Sequence, residues 1–174
     1  MATGTTYSVK FRRKRQQKTN YKRRLNLLKS GKIRFVVRVS NKNIIAQLVE
    51  YSEEGDRIMS HVNSQVLKTM GWGYSTSNTS AAYLTGILCG VKGKEKGVSE
   101  AILDIGRHPH VKGSKIYGCL KGLIDSGIAI DCDEEILPDG DRINGKTIAS
   151  YFEKSKDIEG QFIKLKEQIL ALNK

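Results

Sequence analysis

Apolar and polar positions alternate with a period of two near the start of the chain, as they do in β-strands with one buried face. Residues 33–39 place four apolar side chains on one face and the basic Arg34 and Arg38 on the other, outer face. Two more apolar segments follow, each after a short stretch of turn-forming residues. The pattern predicts an antiparallel meander of three strands, at residues 33–39, 44–51 and 57–62.

The period then lengthens to the 3.6 residues of an α-helix. Residues 64–70 predict a short helical turn, and residues 81–91 predict a longer helix whose N-cap lies within residues 77–80. A further helix is expected to begin at Ser114 and to end at Gly127, since glycine is common just beyond a helix C-terminus.

Short apolar runs at residues 101–105 and 128–130 predict two more strands. The resulting order, βββ-α-β-α-β, predicts an α/β fold in which helices pack on a mixed sheet in two or three layers. With 174 residues and 39% hydrophobic content, the chain is expected to form one compact domain with extensions.

Beyond residue 131 the chain becomes acidic and then helical. Apolar residues recur there at intervals of three and four, which indicates an amphipathic helix that we expect to pack on its own domain rather than on a separate protein. These apolar residues are Ile158, Phe162, Leu165, Ile169 and Leu172. The chain therefore divides into a basic arm at residues 1–31, a globular α/β core at residues 32–131, and an acidic linker with a helical extension at residues 132–174.

Charge is distributed very unevenly along the chain. Residues 10–24 hold nine Lys or Arg in fifteen positions, and residues 1–49 hold fourteen Lys or Arg and no acidic residue. Such a block repels itself, so we expect it to be disordered or extended until a polyanion neutralises it. Phe11 and Tyr21 lie among these charges and can stack on unpaired bases. A nucleic-acid-binding arm is therefore favoured over a solvated tail or a localisation signal.

Membrane and disulfide-rich classes are disfavoured. The longest apolar run, residues 81–91, is too short to cross a bilayer, and no signal peptide precedes it, so we expect a soluble intracellular protein. Cys89, Cys119 and Cys132 lack the spacing of a zinc site or a disulfide framework. We expect these three cysteines to be reduced and half-buried.

Two loops carry candidate contact residues. The loop at residues 71–79 contains the only tryptophan, and Trp72 either folds back on the core or stacks on a base; the sequence leaves both open. The basic loop at residues 106–113 contains His108 and His110 on either side of a proline. Two histidines in this arrangement make a poor metal or acid–base pair, so contacts with RNA or solvent are expected.

Residues 140–147 match the phosphate-loop pattern G-x-x-x-x-G-K-[ST] letter by letter. The pattern functions only after a buried strand, whereas the preceding segment here is acidic and contains a proline. Nucleotide binding is therefore disfavoured. Asn144 is better interpreted as the cap of a helix that reaches about Phe152.

Three carboxylates, Glu50, Asp56 and Asp104, are candidate ligands for two metal ions that would cleave a phosphodiester. A nuclease of this layout needs a carboxylate on the first strand, where this chain has Arg34 and Arg38. A metal-dependent nuclease is thus a second, disfavoured alternative.

Four stretches in a fixed order carry a family resemblance. They begin FRRKRQQKTNYKRR at residue 11, GWGYSTSNTS at residue 71, AILDIGRHPHVKG at residue 101 and LPDGDRINGKT at residue 137. These stretches resemble the L-eighteen family of large-subunit ribosomal proteins in its archaeal and eukaryotic form. The likeness extends from about Tyr7 to Phe152, and the length of the chain favours the archaeal form.

The resemblance implies a non-enzymatic protein that binds 5S ribosomal RNA and attaches it to the large-subunit (23S-type) RNA in the central protuberance. It implies neighbouring ribosomal proteins as further partners, the ribosome in the cytoplasm as the location, no membrane contact, and neither metal nor cofactor. The implied fold is a mixed sheet of the translational-machinery, RNase H-like type.

The resemblance also implies RNA contacts in the arm, on the first strand, at the S-N-K tip of the first hairpin and in the two loops. The predicted RNA-binding residues are Lys10, Arg12, Arg13, Lys14, Arg15, Lys18, Tyr21, Lys22, Arg23, Arg24, Arg34, Arg38, Ser40, Asn41, Lys42, Trp72, Asn78, Arg107, His108 and Lys112.

Overall fold

A computed structural model of the chain describes residues 4–172, so the first three residues of the arm and the last two of the extension lie outside the described residues. Two short helices, α1 (Arg12–Arg15) and α2 (Tyr21–Leu28), precede the sheet. The Asn20 side chain accepts a hydrogen bond from the Arg23 amide at 3.2 Å and so caps α2. The expectation of a disordered or extended arm is wrong for these two helical segments. In α2, the cap and the ion pair of Arg24 with Asp56 offset the charge repulsion; α1 forms without a side-chain cap.

The three predicted strands form an antiparallel meander, as expected. They are β1 (Arg34–Val39), β2 (Ile44–Glu50) and β3 (Arg57–Asn63). A fourth strand, β4 (Ile102–Asp104), pairs in parallel with β1, which completes a mixed sheet of order β3-β2-β1-β4. The inner face of this sheet carries Phe35, Val37, Ile44, Ala46 and Leu48, all fully buried.

The prediction of a strand at residues 128–130 is wrong. Ala129 forms only an isolated parallel bridge with Glu100, through hydrogen bonds that join it to the backbone of Ser99 and Ala101 at 2.9 and 3.0 Å. The segment follows the left-handed turn at Gly127 (φ 92°) and meets only residues 99–101, which lie before the start of β4 at Ile102, so the pairing does not extend beyond one bridge.

Helices α3 (Val66–Thr69), α4 (Thr79–Lys94) and α5 (Lys115–Asp125) follow the order predicted for them. α4 lies across the inner face of the sheet and is buried along nearly its whole length. It packs on α5 at glycines, because a Cβ at Gly86 or Gly122 would collide with the carbonyl oxygen of the facing helix. Ser114 occupies the N-cap position of α5, but its hydroxyl oxygen accepts no cap hydrogen bond from a backbone amide.

The C-terminal part contains short helices α6 (Gly140–Asn144) and α7 (Lys146–Tyr151) and a longer helix, α8 (Ile158–Ala171). The prediction that Asn144 caps a helix is wrong, because Asn144 ends α6 and the left-handed Gly145 separates α6 from α7.

Helix α8 packs on its own domain, as predicted. Its apolar residues Ile158, Phe162, Leu165 and Ile169 are buried in the same core as the sheet, and the rings of Phe162 and Tyr83 are 5.5 Å apart. Leu172, just beyond the helix, is 59% exposed. None of the helices described within residues 4–172 has the length and apolar character that a membrane span requires.

The three cysteines are free thiols, and only Cys132 is half-buried as predicted. Cys89 and Cys119 are fully buried. Burial raises the pKa of Cys89 to about 11 and the pKa of Cys119 well above its usual value. Both core thiols are therefore protonated at neutral pH and behave as small apolar side chains.

Candidate nucleic-acid interface

Helix α2 of the arm lies against the outer face of the sheet. A cleft of about 500 Å³ separates them and is lined by Leu27 from α2 and by Val36 and Val49 from the sheet. Both valines are less than 9% exposed although they lie on the outer face. The basic arm is therefore attached to the body through its second half.

Ion pairs join α2 to the sheet. Arg24 Nη2 donates to Asp56 Oδ2 at 2.7 Å, and Arg34 Nη2 donates to the same oxygen at 2.8 Å. Arg34 Nη1 lies 3.4 Å from Asp104 Oδ2, and Arg38 Nη2 lies 3.2 Å from Asp104 Oδ1. Three arginines thus alternate with two carboxylates.

This arrangement encloses Arg34. Its side chain is 3% exposed, whereas 41% of the Arg38 side chain is exposed. The predicted basic outer face of β1 is therefore open to a ligand at Arg38 and closed at Arg34, because α2 and two carboxylates surround the latter.

Asp56 is ionised in this arrangement. Partial burial works to raise the pKa of Asp56, but the hydrogen bonds and charges of Arg24 and Arg34 outweigh it, so the pKa lies below its usual value. The carboxylate therefore holds both arginines across the whole neutral range.

Arg23 makes a second attachment, to the loop between β4 and α5. Its Nη2 lies 2.7 Å from His110 Nε2 and its Nη1 donates to the Gly106 carbonyl at 3.3 Å. Because arginine only donates, His110 Nε2 accepts, and Nδ1 carries the proton toward the Tyr117 hydroxyl at 2.7 Å. His110, which we expected to contact RNA or solvent, is exposed, and it also holds the arm through Arg23.

The first half of the arm presents its cations to solvent. Phe11, 74% exposed, stacks at a tilt on Tyr21 with ring centroids 5.6 Å apart. A second concavity joins this half to the body, lined in part by Lys10, Lys14, Lys22 and Arg107. Within residues 4–172, the exposed arm cations that form no ion pair are Lys10, Arg12, Arg13, Lys14, Arg15, Lys18, Lys22 and, at the end of α2, Lys29.

The tip of the first hairpin is held by the loop before α4. Ser77 Oγ donates to the Ser40 carbonyl at 3.0 Å, and Thr76 Oγ1 donates to the Lys42 carbonyl at 2.7 Å. The side chains of Ser40, Asn41 and Lys42 remain exposed on this fixed backbone. Lys115, which the sequence analysis missed, joins the tip because its Nζ lies 3.1 Å from Ser77 Oγ.

The two candidate residues of the loop before α4 have structural roles. Trp72 is 2% exposed and donates from Nε1 to the Ser75 carbonyl at 3.0 Å, so it packs in the core and its ring is closed to a base. Of the two alternatives left open by the sequence, folding back on the core is therefore the one observed. Asn78 accepts from the Ala81 amide at 2.7 Å and caps α4.

The basic loop at residues 106–113 is only partly available. Arg107 is exposed and His108 is half-buried. Lys112 Nζ forms an exposed ion pair with Glu135 at 3.1 Å. An exposed pair of this kind contributes little energy, so it leaves Lys112 free to exchange partners.

The residues that a phosphate loop or a metal-dependent nuclease would use form other contacts in this structure. Residues 140–147 form α6 and the start of α7, not a loop after a strand, and Lys146 Nζ lies 3.3 Å from Asp141. Asp56 and Asp104 bind arginines, and Glu50 is exposed at the end of β2. Residues 4–172 contain no group of three side chains placed to hold a metal ion.

The chain resembles known proteins over most of its length. Residues 5–97 match a family described as "Ribosomal large subunit proteins 60S L5, and 50S L18". The chain is 50% identical to the large ribosomal subunit protein uL18 of Korarchaeum cryptofilum, over 93% of this chain and 85% of that protein. It is 41% identical to uL18 of Methanothermobacter thermautotrophicus, over 98% of this chain and 90% of the relative. It is 47% identical to uL18 of Methanosphaera stadtmanae, over 91% of this chain and 82% of that relative.

Proposed function

The chain belongs to the uL18 family of ribosomal large-subunit proteins, and from that premise we propose that it binds 5S ribosomal RNA and attaches it to large-subunit RNA in the central protuberance. The family consists of structural constituents of the large subunit rather than enzymes. It belongs to the ribonucleoprotein machinery of translation, on ribosomes in the cytoplasm. The predicted family is thereby confirmed.

One observation carries the proposal: exposed arm cations that form no ion pair within residues 4–172 line a concavity together with a cation of the body. Lys10, Lys14 and Lys22 line a concavity with Arg107 of the body. Lysine and arginine at such a surface bind phosphates by releasing counterions, and aromatic rings among them stack on unpaired bases. Phe11 and Tyr21 are placed to do so.

We assign the remaining predicted residues by their exposure. The other exposed arm cations and Arg38 would contact phosphates, and the fixed hairpin tip with Asn41, Lys42 and Lys115 would form a second contact. Neighbouring ribosomal proteins would then contact surfaces that the RNAs leave free. Arg34, Trp72 and Asn78 would support these contacts from inside the body.

The test is binding of the full chain to a 5S RNA transcript, with excess tRNA as competitor, across a salt series. A variant with Lys10, Lys14, Lys22 and Arg107 changed to Gln should lose affinity. Its log–log salt slope should fall by about 3 units, at roughly 0.7 per lost phosphate contact on single-stranded RNA.

A control variant removes the same charge elsewhere, with Lys68, Lys96, Lys154 and Lys164 changed to Gln; these four are also exposed. It should retain most of the affinity and slope. Equal losses in both variants would mean that net charge, and not this surface, binds the RNA. Equal binding of 5S RNA and tRNA by the wild type would contradict the proposed partner.

A further inference from the structure

Carboxylates lie at the centre of a surface that is otherwise basic. The cleft between α2 and the sheet is lined by six Lys or Arg side chains and by two acidic ones, Asp56 and Asp104. The six basic residues are Arg13, Lys18, Arg23, Arg24, Arg34 and Arg38. For a protein that binds a polyanion, each of these carboxylates repels the ligand, so their presence requires a reason.

Asp56 connects parts of the chain that are far apart in sequence. Its Oδ2 accepts from Arg24, 32 residues away on α2, and from Arg34, 22 residues away on β1. Asp104, on β4, holds the other side of Arg34 and also Arg38. The ion pairs thus form one continuous path from the arm helix across two strands.

Such a path organises the arm before any ligand binds. A free basic arm must lose conformational entropy when RNA orders it, and this cost lowers affinity. A helix already attached to the sheet has lost part of that entropy. The attachment also fixes the direction in which the exposed first half of the arm leaves the body, which restricts the RNA shapes that it can follow.

We propose that Asp56, supported by Asp104, is a positioning residue for RNA binding: it holds α2 on the outer face of the sheet, so that the arm meets its RNA in one orientation. The contact of Arg23 with His110 fixes the other side of the same helix. This proposal rests on the proposed RNA-binding function, and it assigns selectivity to an acidic residue rather than to a cation.

The test compares full-length Asp56→Asn with Glu53→Gln, a matched control. Glu53 lies in the same turn, is exposed, and forms no ion pair within residues 4–172. Both variants gain the same positive charge. Without RNA, hydrogen exchange of the amides of α2 should be about fivefold faster in Asp56→Asn than in wild type, and unchanged in Glu53→Gln.

With RNA, Asp56→Asn should bind a 5S transcript about fivefold more weakly, which corresponds to about 1 kcal/mol. It should bind tRNA as tightly as wild type or more tightly, because its net charge is higher. Asp56→Glu, which keeps the carboxylate, should restore part of the lost selectivity. Glu53→Gln should bind both RNAs at least as tightly as wild type.

Two results would overturn the proposal. The first result is equal affinity of Asp56→Asn and Glu53→Gln for 5S RNA, since net charge alone would then govern binding. The second is unchanged exchange of α2 in Asp56→Asn. A wild-type chain that does not distinguish 5S RNA from tRNA is a different failure: it contradicts the proposed function itself, and the role in selectivity falls with it.

Discussion

The arm and the body place the same residue types in opposite surroundings. Phe11 in the arm is 74% exposed, whereas Trp72 in the body is 2% exposed. Arg12 in the arm is exposed without an ion pair within residues 4–172, whereas Arg34 on β1 is 3% exposed between two carboxylates. Residue type therefore does not show which side chains a ligand can reach; the neighbours that pack around each side chain decide it.

Helix α2 belongs to both regions. Its Lys22 is exposed like the cations before it, whereas its neighbours Arg23 and Arg24 bind His110 and Asp56 of the body. The boundary between ligand-binding and structural cations thus lies within three consecutive residues. A helix turns successive side chains to different sides, so one side of α2 faces the sheet and another faces solvent.

The largest expected difference in stability is between variants of Trp72 in the body and Phe11 in the arm. Trp72→Ala should lower the free energy of unfolding by ~3–5 kcal/mol, because it leaves a cavity in the core. Phe11→Ala should change it by less than about 0.5 kcal/mol, yet it should weaken RNA binding. Urea denaturation and RNA titration measure the two effects. A stable Trp72→Ala variant with impaired RNA binding would reverse the assignment.

The next contrast is between two arginines. Arg34→Gln should destabilise the fold by ~2–3 kcal/mol, because it leaves Asp56 and Asp104 short of a partner near the core. Arg12→Gln should leave stability unchanged and lower the salt slope of RNA binding by about 0.7. Arg34→Lys is the control for charge, and it should recover only part of the stability, since lysine lacks the planar fork that spans both carboxylates.

A smaller effect is expected at the junction of arm and body. Arg24→Gln and Asp56→Asn are measured singly and as the double variant. The coupling energy between them for the opening of α2 should be ~0.5–1 kcal/mol. It is small because the Arg24 side chain is 36% exposed and solvent weakens the ion pair. Hydrogen exchange of residues 21–28 gives the opening free energies. Additive effects would mean that the Arg24–Asp56 pair does not hold α2, which the apolar contacts and the contact of Arg23 with His110 would then hold.

The smallest expected effect is that of acid on α2. The pKa of Asp56 lies below its usual value because Arg24 and Arg34 outweigh the effect of burial. Its contribution is therefore complete above the usual aspartate pKa of about 4 and is lost as the pH falls through the lower pKa of the folded protein. Protection factors of the α2 amides should fall as the pH is lowered below about 4, into the range where the folded protein protonates Asp56. Asp56→Asn should show a weaker pH dependence over this range.

Local pattern predicted much of the body. Alternation identified the meander, and helical spacing with glycine at residue 127 identified α5 and its end. These signals succeed because each depends on one strand or helix with one buried face. The predicted strand at residues 128–130 failed because its apolar pattern does not show that it meets only the residues before β4, where a single bridge forms. The predicted cap at Asn144 failed because Gly145, and not an asparagine cap, divides the two helices.

The sequence by itself determined that the chain has a basic arm on an α/β body, since net charge per segment and hydrophobic period need no knowledge of contacts. It also carried the family resemblance that the relatives confirm. Only the tertiary structure decided which cations are free. Asp56 and His110 lie 32 and 87 residues from the arginines they hold on α2. Pairing across such separations arises when the sheet and its loops close around the helix, and no local pattern in the arm records it.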